Sequence, residues 1–124
     1  MAQGIGTDIV EIERIARVLE RQGDRFLNRI LTPAERDEYQ RRNRPVKFLA
    51  NRFAGKEAVA KALGCGIADG VTFHCIEILP NAQGAPEVVL TDRAEERLGM
   101  AGAQKVLLSL ADEHHYVVAF ALIS

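Results

Sequence analysis

Three side chains in this 124-residue sequence have the types and spacing that phosphate chemistry needs: Asp8, Glu57 and Lys61. Glu57 and Lys61 stand four residues apart in a helical pattern, with Phe53 four residues earlier, so all three share one face. Alone, Glu and Lys at this spacing form an ordinary surface pair worth about 0.3 kcal/mol. The neighbours weaken that reading. Ala50, Ala54, Ala58 and Ala62 keep one side of the same helix small, so another backbone or a flat ligand can approach. Asp8 closes a short strand among Ile5, Ile9 and Val10, where a carboxylate pairs, caps the helix that follows, or binds a metal. Magnesium takes hard oxygen ligands and keeps several waters, so two carboxylates plus substrate phosphates suffice. A Lys then serves as a point charge on the same phosphates.

Other reactive residues offer less. Gly4-Ile5-Gly6 lacks the third glycine and the helix start of a dinucleotide fingerprint. Ser109 has no base close in sequence. His114 and His115 are adjacent and read as exposed residues at a hairpin tip, and His74 reads as a satisfied side chain on a strand. Cys65 and Cys75 fit no zinc or thioredoxin spacing and read as reduced thiols of a cytosolic protein.

The elements that must position these residues follow from periodicity and punctuation. Residues 4–10 read as a strand, and a helix begins at Ile12 with Ile12, Ile15 and Leu19 on its inner face. Arg14, Arg17 and Arg21 repeat on another face, and Gly23 stops the helix. Asp24 is expected to cap a short helix through Ile30. Thr32-Pro33-Ala34-Glu35 carries the capping-box start of a third helix that ends near Asn43. The longest helix runs from Val46 to Leu63 and closes at Gly64. Residues 71–79 read as a strand, residues 81–84 as a turn and residues 87–90 as the returning strand. Thr91 caps a helix to about Met100. Residues 105–111 and 116–123 pair as a hairpin. Early helices and late antiparallel strands define an α+β class, and no linker divides residues 1–124, which read as one domain.

Composition sets the outer bounds. The net charge of −1 excludes a generally basic nucleic-acid binder. No apolar run reaches membrane-spanning length, and the first residues lack a secretory pattern. The charges are unevenly spread: residues 1–47 hold nine Arg and one Lys against eight acids, and residues 48–124 hold six bases against nine acids. The Arg excess suits an acidic partner. The chain is small for an enzyme, so an oligomer that completes the site is expected.

Two longer motifs carry a family likeness. Gly4-Ile5-Gly6-Thr7-Asp8-Ile9-Val10-Glu11-Ile12 resembles the opening motif of the bacterial holo-acyl-carrier-protein synthases. The run from Phe48 to Gly64, with Lys56-Glu57 and Lys61 inside it, is similar to that family's second motif, and residues 108–119 resemble its end. The resemblance implies an α+β fold, a homotrimer with sites between subunits, and magnesium held by Asp8 and Glu57. It implies that Lys61 contacts the phosphates of coenzyme A, with Gly64 and Ser109 as further contacts. It also implies that Arg14, Arg17 and Arg21 dock an acidic apo-acyl carrier protein. The implied reaction moves phosphopantetheine from coenzyme A to a carrier serine, releases adenosine 3′,5′-bisphosphate, and serves fatty acid biosynthesis in the cytoplasm. Glu57 and a metal-bound water are the candidate general bases. Leu107 stands where the family usually has His, and Gly84-Ala85-Pro86 where Gly-Lys-Pro is common, so altered coenzyme A affinity is expected. Two other readings also fit: a non-catalytic trimer that only binds carrier protein, and a magnesium-dependent nucleotide hydrolase. Intact Asp8, Glu57 and Lys61 speak against the first, and a requirement for apo carrier protein would exclude the second.

Overall fold

The computed structural model describes residues 1–124. Strand β1 (Gly4–Glu11) leads directly into α1 (Ile12–Gln22), which ends at Gly23, where φ is +59°. α2 (Asp24–Ile30) follows at once. Gly23 occupies its cap position and Asp24 is its first helical residue with no capping bond, so the expected Asp24 cap is absent. α3 (Pro33–Arg41) has the full capping box: Glu35 N donates to Thr32 Oγ1 and Thr32 N donates to Glu35 Oε1. Such a cap is worth about 1 kcal/mol. The helix ends at Arg41 rather than Asn43, because Asn43 and Arg44 adopt φ of 64° and 57°.

α4 (Val46–Ala62) is the central helix, and Gly64 beyond it holds φ +88°. The strand expected over residues 71–79 divides. Phe73–Cys75 form a 3-10 turn and β2 covers Ile76–Pro80. Val71, Phe73 and Cys75 alternate like a strand and are buried like one. Their backbone bonds are local, however, with Cys75 N donating to Thr72 O. β3 (Pro86–Leu90) pairs with β2, and α5 (Asp92–Met100) starts after Thr91, whose side chain makes no capping bond. β4 (Val106–Asp112) and β5 (Tyr116–Ile123) form the expected hairpin.

The fold is α+β. One antiparallel sheet has the order β1-β5-β4, and β2-β3 make a second ribbon. α4 packs mainly on β1 and β5. The sheet face it covers is small and fully buried, with Val117, Ala119, Ala121 and Ile123 at 0% exposure. The alanine side of α4 meets it, so the backbone that approaches those alanines is β1. A Cβ on Gly6 would lie 2.1 Å from Ala58 O, and one on Gly4 would lie 2.2 Å from Ala62 O. No helix is long and apolar enough to cross a membrane.

Candidate active site

Asp8 sits in the middle of β1, not at its end. Its ladder partner is Ala119, and pairing continues through Glu11 opposite Tyr116. Ile9 and Val10 sustain the strand alternation past the expected stop. Because β1 side chains alternate, Asp8 shares the inner face with Gly6 and Val10 and points to α4. There it meets Lys61, whose Nζ donates to Asp8 Oδ1 at 3.1 Å and to Thr7 O at 3.0 Å. Asp8 is mostly buried, with 17% of its side chain exposed, and Lys61 is half exposed. Asp8 therefore does not cap α1, whose cap position is Glu11.

Glu57 lies one turn before Lys61 on α4. Partial burial pushes its carboxyl above the usual range, the nearby Asp8 charge adds to the rise, and Lys61 opposes it. The direction is informative. Two carboxylates held together repel, and a single Lys does not cancel the cost. A cation placed between them would. Asp8 and Glu57 supply the hard oxygen donors that suit magnesium, so the residues present fit that ion.

The structure thus brings Asp8, Glu57 and Lys61 together. Gly64 follows Lys61 at the end of α4, where its N–H donates to Lys61 O. Ser109 is elsewhere. It pairs with Phe120 on β5, both are exposed, and both lie on the sheet face opposite Asp8. Arg14, Arg17 and Arg21 are exposed on α1, and Ile15 is buried beneath. They are not equivalent. Arg17 is drawn to Glu11 at 3.5 Å and Glu13 at 3.3 Å, whereas Arg14 and Arg21 make no ion pair within the chain. His114 and His115 are exposed at the hairpin tip, as expected. His74 lies in the 3-10 turn, not on a strand, with its ring nitrogen 2.6 Å from Asn28 O.

Sequence reasoning passed over two buried cations. Lys56 and Glu35 form an ion pair at 2.6 Å with 0% exposure on both sides. Removing one partner of such a pair costs about 3–5 kcal/mol, although a well-packed apolar replacement of both is often neutral. Burial pulls the Lys56 ammonium down and Glu35 holds it up. Arg52 is also buried. Its Nε donates to Ile78 O at 2.9 Å, its guanidinium lies 4.3 Å from the Phe48 ring centroid, and burial lowers its pKa to about 10. With Arg42, Asn51, Gly84 and Pro86 it lines a cavity of about 200 Å³. The available signal was the i+4 step from Phe48 to Arg52 and the one-residue offset of Lys56 from Glu57, which put both cations off the Glu57 face.

A helix-backed antiparallel sheet with an Asp from its edge strand facing Glu and Lys from the central helix defines the class. Residues 4–121 match the model of the 4′-phosphopantetheinyl transferase superfamily, and the chain belongs to that family of enzymes. A holo-[acyl-carrier-protein] synthase of Shewanella frigidimarina is 53% identical over 116 residues, covering 94% of this chain and 92% of the relative. The crystal structure of the holo-[acyl-carrier-protein] synthase from Neisseria meningitidis superposes with a TM-score of 0.93 at 44% identity, covering 100% of this chain and 99% of that one. The Helicobacter pylori enzyme, solved in complex with coenzyme A, superposes at 0.85 with 31% identity, covering 97% and 99%.

Proposed function

We propose that this enzyme transfers 4′-phosphopantetheine from coenzyme A to a serine of apo-acyl carrier protein, with Mg²⁺ held by Asp8 and Glu57. The observation that carries the reading is the convergence of those two carboxylates beside Lys61, together with the upward shift of Glu57 that Asp8 helps to cause. The relatives, named for this activity at about half identity over nearly the whole chain, support it.

The carrier serine oxygen bonds to the β-phosphorus of coenzyme A, and the bond from that phosphorus to the bridging oxygen breaks. Adenosine 3′,5′-bisphosphate leaves. When bound, the ion would neutralise charge on the pyrophosphate and the transferring group. Lys61 places its ammonium on the same phosphates, acting as a fixed charge where negative charge develops. Glu57 and a water on the ion are the two candidates to accept the serine proton.

The remaining parts of the proposal rest on surfaces. Arg14 and Arg21, free of internal partners, dock the acidic carrier protein, with Arg17 in a lesser role. The outer face of the β1-β5-β4 sheet shows Ile5, Ile9, Leu107, Val118 and Phe120, each between 43% and 63% exposed. A patch of this kind supports assembly into the homotrimer. Ser109 lies on that face, and Arg52 lies about 140° around α4 from Glu57. Neither faces the Asp8 site of its own chain, so any contact they make with coenzyme A is assigned to the site of a neighbouring subunit. In the cell this reaction supplies holo carrier protein for fatty acid synthesis in the cytoplasm.

The test is mass spectrometry of apo carrier protein incubated with enzyme, coenzyme A and Mg²⁺. The carrier should gain one phosphopantetheine, and chelation should abolish the gain. Glu57→Gln and Asp8→Asn should each lower the rate by orders of magnitude with the fold intact. Full rate in either variant at limiting Mg²⁺ refutes the metal assignment.

A further inference from the structure

The direction in which Glu57 points depends on how α4 is rotated about its axis. Successive helical residues are about 100° apart, so whatever fixes Lys56 also fixes Glu57. Lys56 spends all three ammonium protons inside the protein. Nζ donates to Glu35 Oε1 at 2.6 Å, to Ile30 O at 2.6 Å and to Phe73 O at 3.0 Å. Glu35 in turn accepts from Thr32 N at 2.8 Å and from Ile78 N at 2.7 Å. The middle of α4 is thereby tied to the end of α2, the start of α3, the 3-10 turn and β2.

The other flank of α4 is held as firmly. Ala58 and Ala62 press their carbonyl oxygens onto Gly6 and Gly4 of β1 with no room for a Cβ. Glu57 and Lys61 lie between these two flanks, at about 100° and 140° from Lys56. Well-packed apolar residues often replace a buried ion pair without loss of stability, but here they would leave Thr32 N, Ile78 N, Ile30 O and Phe73 O without these partners. What they would lack is direction, because each bond of the pair accepts only a narrow geometry.

We propose that the buried Lys56–Glu35 pair is a positioning device for the transfer reaction: it sets the rotation of α4 so that the Glu57 carboxylate meets that of Asp8. The proposal rests on the assignment of Asp8 and Glu57 as the cation-binding pair. Lys56 and Glu35 touch neither substrate nor ion, and they act through Glu57.

A double-mutant cycle tests this. Lys56→Met with Glu35→Gln removes both charges and keeps an amide near the capping site. Mn²⁺ binding is measured by electron paramagnetic resonance in the presence of coenzyme A, with Glu57 intact and with Glu57→Gln. The dissociation constant should rise about tenfold when Glu57 is present and less than twofold when it is Gln. At saturating Mg²⁺, kcat should fall and KM for carrier protein should stay unchanged. Equal losses in both backgrounds, or no loss in either, overturn the proposal and leave the pair a purely structural one. If the double variant does not fold, Glu35→Asp takes its place, since it keeps the charge and only draws the carboxylate back. It should weaken Mn²⁺ about threefold, again only when Glu57 is present, and an unchanged affinity overturns the proposal. If Asp8→Asn and Glu57→Gln alone leave Mn²⁺ binding intact, the metal assignment itself falls, and the proposal falls with it.

Discussion

Gly6→Ala adds a single methyl group, and the structure says where it must go. Its Cβ would lie 2.1 Å from Ala58 O, 2.7 Å from Ala62 N and 2.9 Å from Lys61 Cβ. Two of these three atoms are backbone, so no side-chain rotation relieves them. Ordinary contact begins near 3.4 Å, so β1 and α4 must separate locally by about 1.3 Å. Lys61 reaches Asp8 at 3.1 Å, and a retreat of that size breaks the bond and moves Glu57 with it. Overpacking costs about 1–3 kcal/mol, offset by less than about 1 kcal/mol of lost freedom in the unfolded chain. The melting temperature should fall by about 4 °C for each kcal/mol lost. The rate should suffer more, because a misplacement of about 1 Å can cost about 100-fold. Differential scanning fluorimetry and the carrier mass assay read the two effects. Gly99→Ala is the control, since its Cβ meets nothing within 4 Å, and it should leave the rate unchanged. A Gly6→Ala protein with parental melting temperature and parental rate would show that the contact between β1 and α4 does not set the site.

Three further outcomes follow from the same geometry. The Glu57 carboxyl is raised above its ordinary value of 4.5, so its ionisation opposes folding, and the stability linked to it is full at low pH and lost as pH climbs through the raised value. Without metal, Glu57→Gln should therefore gain stability over the parent as pH rises from about 4 to 7, and a gain that shrinks with pH refutes this assignment. Arg14→Glu with Arg21→Glu should raise KM for carrier protein about tenfold or more and KM for coenzyme A less than twofold, with a smaller loss at high salt. Arg17→Glu should do less, because Glu11 and Glu13 already hold Arg17; loss of coenzyme A binding instead would assign the Arg face to the nucleotide. Phe120→Asp on the outer sheet face should lower the mass in light scattering from trimer to monomer, and an unchanged mass would free that face of any role in assembly.

Most elements were legible in the sequence because their signals are local. The capping box at Thr32 and Glu35, the glycine stop at residue 23 and the β4–β5 hairpin depend on neighbours a few residues apart, and each formed as expected. The same locality explains the misses. Alternation of Val71, Phe73 and Cys75 signals burial on one side, which a 3-10 turn satisfies as well as a strand. Asp24 looks like a cap, but the cap position is settled by backbone angles that Gly23 adopts more easily.

The sequence by itself determined the chemical types at the site and the face that Glu57 and Lys61 share, because a helix fixes which residues lie together. Only the tertiary structure decided their partners. Lys61 turns to Asp8, 53 residues away, rather than to Glu57 one turn back, because β1 is brought against the alanine side of α4. It also decided that Glu35, legible as a capping residue, holds Lys56 in the core, that Arg17 is spent on its own helix end, and that Ser109 faces away from Asp8. Contacts between residues far apart in the chain depend on which surfaces exclude water together, and no local pattern of residue types carries that information.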